Sequence, residues 1–165
     1  MNELNNSGSK YLVNIIGNHE LYNFKRIELD SKLKVSKNGS TWYSFKPWKN
    51  KQLRMVVLDG YDFSSIEGQD GKKTREASDY LMQHNPNDIH TFGVNWSEGL
   101  EGTSKRFMPY NGMIGTDQLD WLQSTLTESK KDMESVIVLT HIPLHPSAAD
   151  NLCLLWNYQV KVATK

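Results

Sequence analysis

Cysteine is nearly missing from this 165-residue chain, and long hydrophobic runs are missing altogether. Cys153 is the only cysteine, so no disulfide can form within the chain, and a reducing, cytoplasmic location is expected. The longest apolar runs, residues 55–58 and 136–139, are far too short to cross a bilayer. The first ten residues are polar and contain no apolar signal core. We therefore expect a soluble domain without a membrane partner.

The chain also lacks an excess of either charge. Its 19 basic residues balance 19 acidic residues, and the pI is about 7.0. Such a balance gives no broad attraction for nucleic acid or for an anionic membrane, although it leaves room for one local anion pocket. The length fits one domain and is short for two.

Apolar runs and their periodicity predict an α/β domain. Strands are expected at residues 11–16, 42–45, 53–59 and 135–140. The first and the last are expected to be buried on both faces, and the middle two to form a hairpin. Helices are expected at residues 20–31, 74–84 and 116–130. Residues 86–115 have no period and predict a long irregular loop.

Two of the predicted strands run directly into polar residues that carry chemistry. Residues 12–16 stop at Gly17, and Asn18 and His19 follow, while the last predicted strand leads into His141. Open α/β sheets bind ligands at the carboxyl ends of their strands, so both ends are expected at one edge of the sheet. An amide oxygen suits hard cations, and an imidazole suits borderline metals or proton transfer. The alternative is a plain turn in which His19 is incidental.

The other histidines predict no site of their own. His145 follows His141 at helical spacing, but Pro143 lies between them and prevents a regular helix, so His145 is expected in a loop. His84 and His90 are expected at the surface.

Two aromatic residues, Tyr22 and Phe24, follow the polar turn directly. Each is able to stack on a base or a sugar, and packing in the core is the alternative.

These residues resemble the motifs of a known superfamily. "GNHE", residues 17–20, is similar to the Gly-Asn-His-Asp/Glu motif of the calcineurin-like metallophosphoesterases, and "VLTHIPLHP", residues 138–146, to their later strand-end histidine. The resemblance is closer to the manganese-dependent ADP-ribose/CDP-alcohol diphosphatases, where it extends through residues 15–24, 106–122 and 141–158. It implies an incomplete four-layered α/β/β/α metallophosphoesterase sandwich.

The resemblance also implies a site and a reaction. Asn18 and His141 would be ligands of the second of two divalent ions, manganese or else zinc or magnesium. His19 would contact the phosphate and assist catalysis. Tyr22, Phe24 and Asn151 would lie near the substrate, a small-molecule nucleoside diphosphate derivative such as ADP-ribose or CDP-choline, which is hydrolysed at its pyrophosphate bond. In such sites the metals polarise phosphoryl oxygens and lower the pKa of the attacking water.

The chain departs from the family pattern at both ends. The family's Asp-x-His and Gly-Asp-x-x-Asp motifs do not precede Gly17, and its Gly-His-x-His motif does not follow residue 158. We therefore expect residues 1–165 to form a single, incomplete domain that holds metal weakly and is inactive in this truncated form. The alternative is a non-catalytic isoform that binds nucleotide or a protein partner.

Overall fold

The computed structural model describes residues 12–47, 52–66 and 71–159. Its helices are α1 (Asn18–Asn23), α2 (Arg26–Leu33), α3 (Gly71–His84) and α4 (Thr116–Lys131). Its strands are β1 (Tyr43–Phe45), β2 (Leu53–Val57) and β3 (Ser135–Leu139). Two short 3-10 helices cover Gly102–Arg106 and Pro146–Ala148.

The strands form a mixed sheet in the order β1-β2-β3. β1 runs antiparallel to β2, with Tyr43 opposite Val57, which confirms the predicted hairpin, although residues 48–51 of its turn lie outside the described residues. β2 runs parallel to β3, with Val57 opposite Leu139. The carboxyl ends of β2 and β3 therefore lie side by side at one edge of the sheet.

The predicted helices are found, but the first of them is two helices. The backbone is extended at Phe24 and at Lys25, which separates α1 from α2. The Lys25 N–H donates to the carboxylate of Glu28 at 3.0 Å, which caps the start of α2. The Phe24 side chain packs against the main hydrophobic core. The periodicity of residues 20–31 ran through this break because both helices present apolar residues to the same core.

The predictions for the first and last strands need correction. Residues 12–17 are assigned no strand, Leu12 is exposed and only Ile16 is fully buried before Gly17, while Tyr11 lies outside the described residues. β3 exists, but it is not buried on both faces, because Ile137 is 45% exposed and Val138 is 39% exposed. Within the part of the chain described, β3 pairs with β2 and lies at the edge of the sheet. Apolar composition indicated burial that these residues do not have.

Two hydrophobic clusters hold the elements together. The larger cluster includes Leu29 of α2, Val56 of β2 and Leu122 of α4. The smaller cluster packs Leu81 of α3 against Trp156, which is fully buried. Burial of a large apolar side chain contributes about 1.5–3 kcal/mol, so these contacts fix the helices against the sheet. The residues that follow β2 and β3 are therefore held in fixed positions.

No helix among the described residues is long and apolar enough to cross a membrane.

Candidate metal centre

Asn18 and His141 meet at the edge of the sheet, although they are far apart in sequence. Asn18 is the first residue of α1, and His141 lies two residues beyond the end of β3. The Nε2 atom of His141 lies 3.3 Å from the Oδ1 atom of Asn18, within hydrogen-bonding distance. His141 is exposed and Asn18 is half-buried, so the pair faces solvent.

Gly17 makes this approach possible. Its backbone is extended, with φ of −114°, so it is not a glycine required for a left-handed turn. A Cβ atom at residue 17 would lie 2.8 Å from Cε1 and 3.0 Å from Nδ1 of His141. The absence of a side chain leaves the space that the His141 ring occupies. The sequence argument gave Gly17 a role in chain reversal, whereas its structural role is close approach.

The pair opens into a cavity of about 290 Å³, which Tyr61, Tyr110 and Cys153 also line. Tyr61 lies beneath both predicted ligands. Its ring centroid is 5.9 Å from that of His141, and its phenol oxygen accepts a hydrogen bond from the backbone N–H of Asn18. Burial raises the pKa of the Tyr61 phenol, so it stays protonated at neutral pH.

Sequence analysis missed Tyr61, although a signal was present. Tyr61 follows β2, and β2 lies parallel to β3, so the residues after both strands share one edge. The carboxylate of Asp59 fixes this turn. It accepts hydrogen bonds from the Tyr61 backbone N–H at 3.0 Å and from the Arg26 guanidinium at 2.5 Å. Applying the strand-end argument to the third predicted strand would have indicated Tyr61.

His19 and Tyr22 lie on α1 beside this pair. His19 is exposed, and its ring meets the ring of Tyr22 edge to face, with centroids 5.8 Å apart. Asn23 donates a hydrogen bond to the backbone carbonyl of His19 at 2.6 Å, which holds the short helix closed. His19 does not line the 290 Å³ cavity, so its predicted contact with phosphate stays a prediction.

The structure does not bring Phe24 or Asn151 into this cavity. Phe24 packs on the core, with Lys32 Nζ 5.1 Å from its ring centroid. Asn151 lies half-buried in the turn that follows the second 3-10 helix. His145 is a loop residue, as predicted, and its Nδ1 accepts a hydrogen bond from Ser147 N at 3.1 Å.

Both remaining histidines are exposed, as predicted. His84 nevertheless stacks on Phe107, with ring centroids 4.5 Å apart.

The donor set fits a divalent cation. When two ligand atoms each lie about 2.1 Å from one ion and the ligand–metal–ligand angle is a right angle, the two ligand atoms are about 3 Å apart. The observed separation of 3.3 Å between an amide oxygen and an imidazole nitrogen is close to that value. Among the described residues there is no group of three or more His, Cys, Asp or Glu side chains placed to hold a metal ion. The described residues thus offer two neutral ligands.

The fold is that of the metallophosphoesterases. A dimetal phosphatase from Danio rerio has a similar structure, with a TM-score of 0.75 and 35% identity, over 89% of this chain and 48% of that protein. No protein-family model matches the chain.

The curated sequences that are similar to this chain are named manganese-dependent ADP-ribose/CDP-alcohol diphosphatases. The relative from Arabidopsis thaliana is 40% identical in an alignment of 146 positions that covers 87% of this chain and 45% of the relative. The relative from Homo sapiens is 33% identical in an alignment of 161 positions that covers 89% of this chain and 45% of the relative. The chain spans about half the length of the curated relatives it matches. The resemblance found in the motifs is confirmed.

Proposed function

We propose that this chain supplies part of the active site of a metal-dependent hydrolase that cleaves the pyrophosphate bond of ADP-ribose or of a CDP-alcohol. The observation that carries the proposal is the contact of 3.3 Å between the Asn18 and His141 side chains at an open cavity. Relatives that are named for this activity support the substrate class.

Asn18 and His141 would hold a divalent ion, manganese in the first place, with zinc or magnesium as alternatives for a mixed oxygen and nitrogen set. The bound metal would supply Lewis acidity toward a phosphoryl oxygen and a more acidic water. Gly17 leaves room for the His141 imidazole because it has no side chain. Tyr61 holds Asn18 in place because its phenol oxygen accepts a hydrogen bond from the Asn18 backbone N–H.

His19 would act on the phosphate side of the site. It follows Asn18 directly on α1 and is exposed, so its imidazole is free to donate a hydrogen bond or a proton to a phosphate oxygen. Such a contact stabilises the charge that develops on the leaving oxygen. Removal of a general acid or of a single charge-stabilising donor costs about 10²–10⁴-fold in rate.

A chimaera tests the proposal. Residues 12–159 replace the matching residues of the Arabidopsis relative, and release of AMP and ribose 5-phosphate from ADP-ribose is measured with and without manganese. We expect manganese-dependent hydrolysis, a loss of about 100-fold or more in kcat for His19→Ala, and weak manganese binding for His141→Ala. Ile27→Ala, which removes an exposed apolar side chain on α2, is the control and should be neutral.

A chimaera that folds but releases no product would contradict the proposal, and so would unchanged turnover after His19→Ala. Saturable binding of manganese and ADP-ribose without any product would instead favour the non-catalytic, nucleotide-binding alternative.

A further inference from the structure

Tyr61 contacts the chain at both ends of α1, the helix that begins with Asn18 and His19. At the start of α1, the Tyr61 phenol oxygen accepts a hydrogen bond from the Asn18 backbone N–H. Beyond the end of α1, the Tyr61 backbone carbonyl accepts a hydrogen bond from the guanidinium of Arg26, the first residue of α2. One residue of the turn after β2 therefore spans the helix that carries a predicted metal ligand and the predicted phosphate contact.

Arg26 also fixes this turn through a buried carboxylate. Its guanidinium donates to the Asp59 carboxylate at 2.5 Å, and only 2% of Asp59 is exposed. The same carboxylate accepts hydrogen bonds from the Tyr61 backbone N–H at 3.0 Å and from the Thr41 hydroxyl at 2.7 Å. A guanidinium has several donors in one rigid plane, and its hydrogen bonds to a carboxylate are stronger than those between neutral groups. Arg26 is therefore able to bind the Asp59 carboxylate and the Tyr61 carbonyl at the same time.

Packing within α1 fixes the helix mainly at one point. Leu21 is the one buried residue of this six-residue helix. A rotation about Leu21 would move the Asn18 side chain away from the His141 imidazole, which lies 3.3 Å from it. The contacts of Tyr61 with Asn18 and with Arg26 lie on either side of Leu21 in the sequence, so together they restrict this rotation.

A second ion pair holds the same turn from another side. Lys73 Nζ, on α3, lies 2.5 Å from the carboxylate of Asp62. This carboxylate also accepts a hydrogen bond from the Gly115 backbone N–H at 3.1 Å, directly before α4. These contacts lead to α3 and α4, whereas those of Arg26 lead to α1 and α2. The two ion pairs therefore allow the stability of the turn to be separated from the position of α1.

We propose that Arg26 is a positioning residue for the candidate metal centre, which holds Tyr61 through the Asp59 carboxylate and the Tyr61 carbonyl and thereby keeps Asn18 beside His141. The proposal deepens the proposed function and rests on it for the identity of the bound group.

Arg26→Lys tests the proposal, because it keeps a positive charge beside Asp59 and removes the planar group that reaches Asp59 and Tyr61 together. Lys73→Gln is the matched control, since it breaks the other ion pair of the same turn. In the 165-residue chain, hydrogen exchange of the Asn18 amide is followed by NMR, and manganese affinity by the electron paramagnetic resonance signal of the free ion. We expect Arg26→Lys to accelerate Asn18 exchange and to weaken manganese binding, each at least about tenfold. Lys73→Gln should change each by less than about twofold.

A double-mutant cycle shows whether Arg26 acts through Tyr61. Tyr61→Phe removes the phenol oxygen that binds the Asn18 N–H, so Arg26→Lys should weaken manganese binding much less in the Tyr61→Phe chain than in the wild type. Exchange of the β2 amides reports on unfolding of the whole chain and corrects for a general loss of stability. Asp59→Asn, which removes the same ion pair from the other side, is the second variant and should accelerate Asn18 exchange in the same way.

Unchanged Asn18 exchange in both Arg26→Lys and Asp59→Asn would overturn the proposal. Equal effects of Arg26→Lys and Lys73→Gln would also overturn it, as would fully additive effects of Arg26→Lys and Tyr61→Phe on manganese affinity. Exchange of the Asn18 amide needs no metal. A failure of the proposed function is therefore distinguishable, because it would abolish manganese-dependent hydrolysis by the chimaera and leave the effect of Arg26→Lys on Asn18 exchange intact.

Discussion

Gly17→Ala should weaken metal binding while leaving the fold almost unchanged. The new Cβ would lie 2.8 Å from His141 Cε1, which is about 0.7 Å short of a favourable carbon–carbon separation. It would also lie 2.7 Å from the Glu20 carboxylate. Both obstacles are ends of side chains, and His141 is exposed, so the imidazole is able to swing away from the backbone.

The expected costs differ for stability and for binding. Overpacking usually costs about 1–3 kcal/mol. Because the exposed His141 ring is able to move away from the new methyl group, we expect the free energy of unfolding to fall by less than about 1 kcal/mol, which is about 2–4 °C in Tm for a chain of this length. The same movement separates His141 from Asn18. Disturbance of residues that position a ligand costs about 10–100-fold in metal affinity, so we expect manganese affinity to fall at least about tenfold.

Manganese binding is followed by the electron paramagnetic resonance signal of the free ion, and stability by thermal unfolding. Gly71→Ala is the matched control, because the nearest atom to its Cβ is a flexible Arg75 nitrogen 3.7 Å away. Wild-type manganese affinity in Gly17→Ala would refute the reasoning, because the glycine would then not be needed for the contact of the two ligands.

Three further predictions concern stability and the support of the ligands. Arg54 and, to a smaller extent, Lys46 hold the pKa of the Glu134 carboxyl at about 2, below its ordinary value of 4.5. The stabilisation from this carboxylate is therefore present above about pH 4.5 and is lost as the pH falls toward 2. Acid unfolding of Glu134→Gln should depend less on pH in that window, and an unchanged profile would contradict this. Gly112→Ala places a Cβ 2.5 Å from a backbone carbonyl oxygen, so the free energy of unfolding should fall by about 3 kcal/mol or more in thermal unfolding. A Tm within about 2 °C of wild type would be incompatible with the packing described. Tyr61→Phe removes the acceptor for the Asn18 N–H, so it should cost about 1 kcal/mol of stability and weaken manganese binding. Manganese affinity equal to that of the wild type would show that the phenol does not position Asn18.

The elements with strong local signals were predictable from the sequence. Residues 116–130 repeat leucines at helical spacing, and α4 is found at Thr116–Lys131. The hairpin of β1 and β2 followed from two apolar runs separated by a polar turn. The meeting of Asn18 and His141 was predicted from the rule that ligands bind at strand ends, although only His141 follows a strand among the described residues.

Features that depend on tertiary partners were not predictable. Residues 12–16 are as apolar as a buried strand, but a strand also needs a neighbour in the ladder, which composition does not reveal. The requirement for Gly17 comes from the His141 ring, which is remote in sequence. The course of the loop that carries Trp96 depends on Asn85 and Asn87, whose side-chain amides donate to the Trp96 carbonyl in a segment that has no period of its own.

Paramagnetic broadening by manganese tests most directly the claim that Asn18 and His141 bind one cation. Manganese is titrated into the isotopically labelled 165-residue chain, and the side-chain amide signal of Asn18 is followed together with the ring signals of His141, His84 and His90. We expect the Asn18 and His141 signals to broaden together, at manganese concentrations that leave the signals of His84 and His90 sharp, although both of these histidines are also exposed. Broadening of all three histidines alike, with the Asn18 amide unaffected, would contradict the account.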